Sequence, residues 1–200
     1  MQLRDRLDQD EMLITAWSTS PSVEMAAALA RCAFDTVTVD MQHGAHTETT
    51  AFAAARAILT AGKPSILRIP VGRNDLASRA LDMGYEAVIA PMINSVADAE
   101  AFAAAMKYPP VGERSWGPMK ALQMHTSYTP ESYFRSANAR TVSLAMIETR
   151  AAFAALDGIL ATDGIDGVFV GPSDLSISWS NGAHVDPHNE ELQDVIAEIA

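Results

Sequence analysis

Short apolar runs alternate along the chain with alanine-rich stretches of helical spacing. Read in order, the pattern predicts a short polar helix over Gln2–Gln9 and a strand over Met12–Trp17, then a helix over Ser22–Arg31 and a strand over Thr36–Asp40. A helix over Thr49–Leu59, a strand over Ser65–Ile69, a helix over Leu76–Met83 and a strand over Ala87–Pro91 follow. The pattern continues with a helix over Val96–Met106, a strand over Val142–Ile147, a helix over Ala151–Leu160, a strand over Gly167–Val170 and a final helix over Asn189–Ile199. Strands separated by helices of about ten residues imply βαβ units, a parallel sheet and right-handed crossovers. Six such strands without a G-x-G-x-x-G turn favour a (β/α) barrel over a dinucleotide-binding sheet.

Two features break the rhythm. The stretch 108–140 reads as a long insertion after the fourth βα unit, and connections of this length are usually functional or interfacial. The pattern also stops inside an apparent helix at Ile199-Ala200. A full eightfold barrel takes about 250 residues. The expectation is therefore one barrel domain over residues 1–200, C-terminally incomplete and lacking its last strands.

Composition narrows the function. With 14 basic and 25 acidic residues the net charge is −11, which argues against nucleic acid and against an anionic membrane surface as partners. It leaves room for an anionic substrate, because local charge can oppose the global field. The charged N-terminus is no signal peptide and no apolar run approaches the roughly 20 residues that cross a bilayer, so a cytoplasmic location is expected. Cys32, the only cysteine, reads as a small core residue.

The candidate chemistry sits where apolar runs end. Val37–Asp40 leads into His43, Ile66-Leu67 stops at Arg68, Leu144–Ile147 stops at Glu148, and Val168–Val170 runs through Gly171-Pro172-Ser173 into Asp174. Charged residues at successive strand ends are how a (β/α) barrel builds its active face. Glu148 and Asp174, at the ends of neighbouring strands, suit Mg²⁺ or Mn²⁺; the plainer reading is that each caps a helix or pairs with an arginine such as Arg150. Gly171 permits close backbone approach, and the turn after it exposes amides that can hold a carboxylate. Arg68 can bind a carboxylate or steady an enolate oxygen, unless Asp82 or Asp40 takes it as a structural partner. His43 is a candidate acid/base with Asp82 as the carboxylate that sets its tautomer. Trp17 ends strand one as a pocket wall or core residue, His46 reads as a surface or helix-start residue, and His184 and His188 read as a solvated loop. None of the three lysines, Lys63, Lys107 and Lys120, ends a predicted strand, so no Schiff base is needed.

These residues lie in longer motifs: Val39–Gly44, Leu67–Pro70, Leu81–Gly84, Tyr108–Ser115, Met146–Thr149 and Gly164–Ser176. In them the chain resembles the HpcH/HpaI aldolase family of metal-dependent class II pyruvate aldolases. The resemblance implies a (β/α)8 TIM barrel of the phosphoenolpyruvate/pyruvate type. It implies that Glu148 and Asp174 bind a divalent metal (Mg²⁺, Mn²⁺ or Co²⁺), that Arg68 contacts the keto or enolate oxygen, and that His43 with Asp82 moves protons. The backbone around Ser173 and Asp174 would hold the pyruvate carboxylate. The activity implied is making or cleaving 4-hydroxy-2-oxo acids from a 2-oxo acid and an aldehyde, in a homo-oligomer, a trimer or hexamer. Met146 stands where some members carry glutamine, and Gln42 where some carry glutamate. Citrate-lyase-like or malyl-CoA-lyase-like chemistry, or a non-catalytic binding barrel, are the alternatives.

Overall fold

The computed structural model describes residues 2–199. It contains α1 (Leu3–Leu7), β1 (Thr15–Ser18), α2 (Val23–Arg31), β2 (Thr36–Asp40), α3 (Glu48–Thr60), β3 (Ser65–Arg68), α4 (Asn74–Asp82), β4 (Ala87–Ala90) and α5 (Val96–Met106). It continues with α6 (Met119–Met124), α7 (Pro130–Arg140), β5 (Val142–Ile147), α8 (Arg150–Ala154), α9 (Leu156–Leu160), β6 (Gly167–Val170), α10 (Pro172–Trp179) and α11 (Glu190–Ile199). The six predicted strands all form, within a residue or so at most ends, and pair in parallel in sequence order. The stretch 108–140 carries two helices, α6 and α7, with a small core of their own around Tyr108, Ala121, Tyr133 and Ala137. The helix predicted over 151–160 is two short ones that meet at Ala155.

The sheet curls. Laid flat, six strands would separate its edges by about 24 Å. Yet Trp17 on β1 and Phe169 on β6, one from each edge, have ring centroids 5.8 Å apart. Alternation along each strand then sorts side chains between two layers. Val37, Val39, Leu67, Val88, Ala90, Ala145 and Ile147 point outward into the main core against the helices. Ile66, Ala87, Ile89, Val142 and Met146 point inward, with Trp17, Leu144 and Phe169 packed on them. Leu3 joins that inner cluster, so α1 plugs the N-terminal mouth of the half-barrel. Alanines at 26, 30, 51, 54 and 55 are buried between helices and sheet, where small side chains let α2 and α3 pack close together. No helix among the described residues is long and apolar enough to cross a membrane.

Candidate active site

The C-terminal ends of the strands gather the polar residues. Parallel pairing sets Asp40 opposite Arg68 in the β2–β3 register. Asp40 is 1% exposed and accepts five hydrogen bonds. Arg68 grips it with both arms of a fork, Nε to Oδ1 at 2.9 Å and Nη2 to Oδ2 at 2.6 Å. Trp17 Nε1 donates to Oδ2 at 3.2 Å, and the backbone N–H groups of Gln42 and His43 donate to Oδ1 at 2.9 and 3.3 Å. Burial pushes the Asp40 pKa up, but the hydrogen bonds and charge of Arg68, with Trp17 and the His43 amide, outweigh it and hold the carboxyl below its ordinary range. The Arg68 guanidinium also lies 4.9 Å from the centroid of the Trp17 ring. Its Nη1 has no hydrogen-bond partner among the described residues, which leaves one donor edge for a ligand.

Glu148 follows β5 directly and is 1% exposed. Its Oε1 accepts the Met92 amide at 2.6 Å, and its Oε2 is buried without a hydrogen-bond partner. Met92 reaches it from the loop after β4, in a left-handed backbone conformation (φ 57°) that a non-glycine side chain adopts at a cost. Burial raises the Glu148 pKa and Asp174 raises it further, against the Met92 N–H, Arg68 and His43. The charges of Asp174, Arg68 and His43 thus all act on this one carboxylate. Gly171, at the N-cap of α10, lets the backbone pack directly against Glu148: a Cβ there would lie 2.6 Å from Oε2.

Asp174 is exposed in the first turn of α10, and Pro172 at its start removes a donor that the helix cannot use. The first-turn amides of Ser173 and Asp174 have no intrahelical acceptor and can take an anion. A buried carboxylate oxygen without a partner is costly, and a cation or a proton relieves it. One such oxygen, with a second carboxylate in the first turn of the helix after the next strand, is a donor set that suits a divalent ion held by few protein ligands, the style of Mg²⁺. Among the described residues no group of three or more His, Cys, Asp or Glu is arranged around a common point.

The remaining residues sort out as follows. His43 is exposed on the loop after β2, and its ring makes no hydrogen bond among the described residues. Asp82 does not meet it within this chain; its Oδ1 accepts from Arg114 Nη2 at 2.6 Å, beneath the loop that carries Gly117. Arg150 turns away from Glu148 and stacks on Trp179, 4.5 Å from the ring centroid. His46, expected as a surface or helix-start residue, does sit just before the N-cap of α3, but it is buried at 6% exposure because its ring lies between β1 and α3. Lys107 is buried, but its Nζ binds Asp166 and the Thr141 carbonyl, which precede β6 and β5, at the opposite end of the strands. The sequence pattern carried no signal for the Met92 amide, since any residue offers one, nor for His46 as a buried group.

A family model described as HpcH/HpaI aldolase/citrate lyase matches residues 13–200. Over 186 residues the chain is 37% identical to a hydroxypyruvate/pyruvate aldolase of Rhizorhabdus wittichii, covering 93% of this chain and 72% of that protein. It is 33% identical over 186 residues to a 2-keto-3-deoxy-L-rhamnonate aldolase of Klebsiella pneumoniae, covering 93% and 68%. The crystal structure of an HpcH/HpaI aldolase/citrate lyase family protein from Burkholderia cenocepacia J2315 aligns with TM-score 0.84 at 28% identity, over 98% of this chain and 78% of that one. On that family match and those relatives, the chain belongs to the HpcH/HpaI aldolase/citrate lyase family, a family of carbon–carbon lyases.

Proposed function

We propose that this chain forms most of a (β/α)8 barrel of the phosphoenolpyruvate/pyruvate type. In this reading it is a divalent-metal-dependent aldolase, making or cleaving 4-hydroxy-2-oxo acids through a pyruvate or hydroxypyruvate enolate and an aldehyde. The observation that carries the reading is the unpartnered, buried Oε2 of Glu148, against which the glycine backbone at 171 packs. Glu148 and Asp174 would hold Mg²⁺, Mn²⁺ or Co²⁺, and such an ion supplies Lewis acidity to the keto oxygen of a bound oxo acid. The Ser173 and Asp174 amides hold the substrate carboxylate at the head of α10. Arg68, fixed by Asp40, offers Nη1 to the negative charge that grows on the enolate oxygen; because the fork is already anchored, little reorganisation is needed at the moment of reaction. His43, solvent-facing and close enough to couple with Glu148, holds and moves a proton at its imidazole. Trp17 walls the pocket under Arg68. Asp82, held by Arg114, is proposed as the carboxylate partner in the acid/base machinery with His43.

The test is exchange of pyruvate methyl protons in D₂O, followed by NMR with and without Mg²⁺ or Mn²⁺. Exchange that depends on the ion, and is lost in Glu148→Ala and Asp174→Ala with the fold retained, supports the reading. Exchange without metal, or undiminished in either variant, overturns it.

A further inference from the structure

The loop between β2 and α3, residues 41–47, carries His43 and is fastened from both ends. Upstream, the Met41 amide donates to the Arg68 carbonyl at 3.0 Å, and the Gln42 and His43 amides turn back onto Asp40 Oδ1. Downstream, the Ala45 amide donates to the Thr19 carbonyl at 2.8 Å, just past β1. Gly44 makes that approach possible, since a Cβ there would lie 2.3 Å from the Asp40 carbonyl oxygen and 3.1 Å from Thr19 Cα.

His46 is the side chain that locks this second fastening. Its Nε2 lies 3.1 Å from Ser18 Oγ, on the last residue of β1, and its Nδ1 lies 3.3 Å from Thr50 Oγ1, in the first turn of α3. A neutral imidazole has one nitrogen that donates and one that accepts, so a single ring can satisfy both hydroxyls at once. Burial disfavours the charged ring and keeps this neutral form, although the charge of Asp40 opposes it. Nothing in the proposed chemistry uses His46, yet a buried imidazole with both nitrogens satisfied is an expensive way to fill space that leucine could fill.

We infer that His46 is a positioning residue: by bridging Ser18 and Thr50 it holds the β2–α3 loop, and with it His43, in a fixed place beside Asp40. This rests on the proton-transfer role proposed for His43. If it holds, His46 acts on turnover only through His43.

A double-mutant cycle on metal-loaded protein tests this, with pyruvate proton exchange as the assay and thermal melts as the control for folding. His46→Leu is expected to lower kcat for exchange by about tenfold or more with KM within about threefold, and His46→Gln, which keeps a polar bridge, to recover most of the loss. In a His43→Ala background the same His46→Leu change should lower the residual rate no further. Wild-type exchange in a folded His46→Leu protein, or an equal loss in both backgrounds, overturns the inference. Should His46→Leu fail to fold, Ser18→Ala removes the Nε2 partner more gently and is read by the same cycle. A His43→Ala protein that exchanges at the wild-type rate would overturn the role given to His43 and the inference with it; failure confined to the His46 arms overturns the inference alone.

Discussion

Replacing Gly171 by alanine drives a methyl group into the side chain of Glu148, the candidate ion ligand. The backbone there (φ −99°, ψ 85°) is open to an L-residue, so the cost is steric rather than conformational. The new Cβ would sit 2.6 Å from Glu148 Oε2, 2.8 Å from Glu148 Cβ and 3.0 Å from Met146 Cε. Comfortable contacts between such atoms lie at about 3.5–4.0 Å, so the overlap is close to 1 Å. Met146 can yield, being flexible; Glu148 cannot without breaking its 2.6 Å bond to the Met92 amide. Overpacking of this kind costs about 1–3 kcal/mol. For a chain of this size that is a fall in Tm of about 2–12 °C. Ion binding should suffer separately, because the group pressed aside is the ligand itself, and an affinity loss of at least about tenfold is expected, about 1.4 kcal/mol or more. Wild-type protein at a hundredfold excess of Mn²⁺ over its Kd should gain about 2.7 kcal/mol from binding. Melts with and without Mn²⁺, together with a calorimetric or EPR titration, therefore separate the two effects. A folded Gly171→Ala protein with wild-type Mn²⁺ affinity would show that Glu148 Oε2 does not face the ion.

Asp40→Asn should cost about 3–5 kcal/mol at pH 7, because it strands the charge of Arg68 next to a buried amide. Since the Asp40 pKa is lowered in the fold, its stabilisation is present above the unfolded value near 4 and is lost as pH falls through the folded value, so denaturation midpoints of the variant should show a flatter acid limb below pH about 4 than wild type; an equally steep limb would refute the assignment. Arg68→Lys keeps the charge but not the fork, and should lower kcat for proton exchange by about tenfold or more while the melt moves little; unchanged kcat would remove Arg68 from enolate stabilisation. Sodium borohydride added with pyruvate should leave the protein mass unchanged, because buried Lys107 is committed to Asp166 and Thr141 at the far end of the strands, whereas a trapped adduct would mean a Schiff-base enzyme.

The strand-end residues were legible before any fold was known. Asp40, Arg68 and Glu148 each terminate an apolar run, and polarity at the end of a run is a local property of the chain. The two helices within 108–140 were not legible, since prolines, glycines and scattered aromatics hide the period of α6 and α7. The apolar pattern predicts no helix over 172–179, where α10 forms; proline at its first position is compatible with a helix start.

Alternation of apolar and polar positions determined the βα order, the parallel sheet and the face on which chemistry would lie, because side-chain period and turn residues act within a few positions of one another. Only the tertiary structure decided who partners whom. Strand register gave Arg68 to Asp40 rather than Asp82, and packing of the 108–140 segment gave Asp82 to Arg114. The closeness of β1 to α3 made His46, just ahead of the helix start, a buried bridge, and the loop after β4 brought the Met92 amide to Glu148. Such pairings join residues tens of positions apart, and their geometry is set by sheet curl and helix packing, which no short window of sequence encodes.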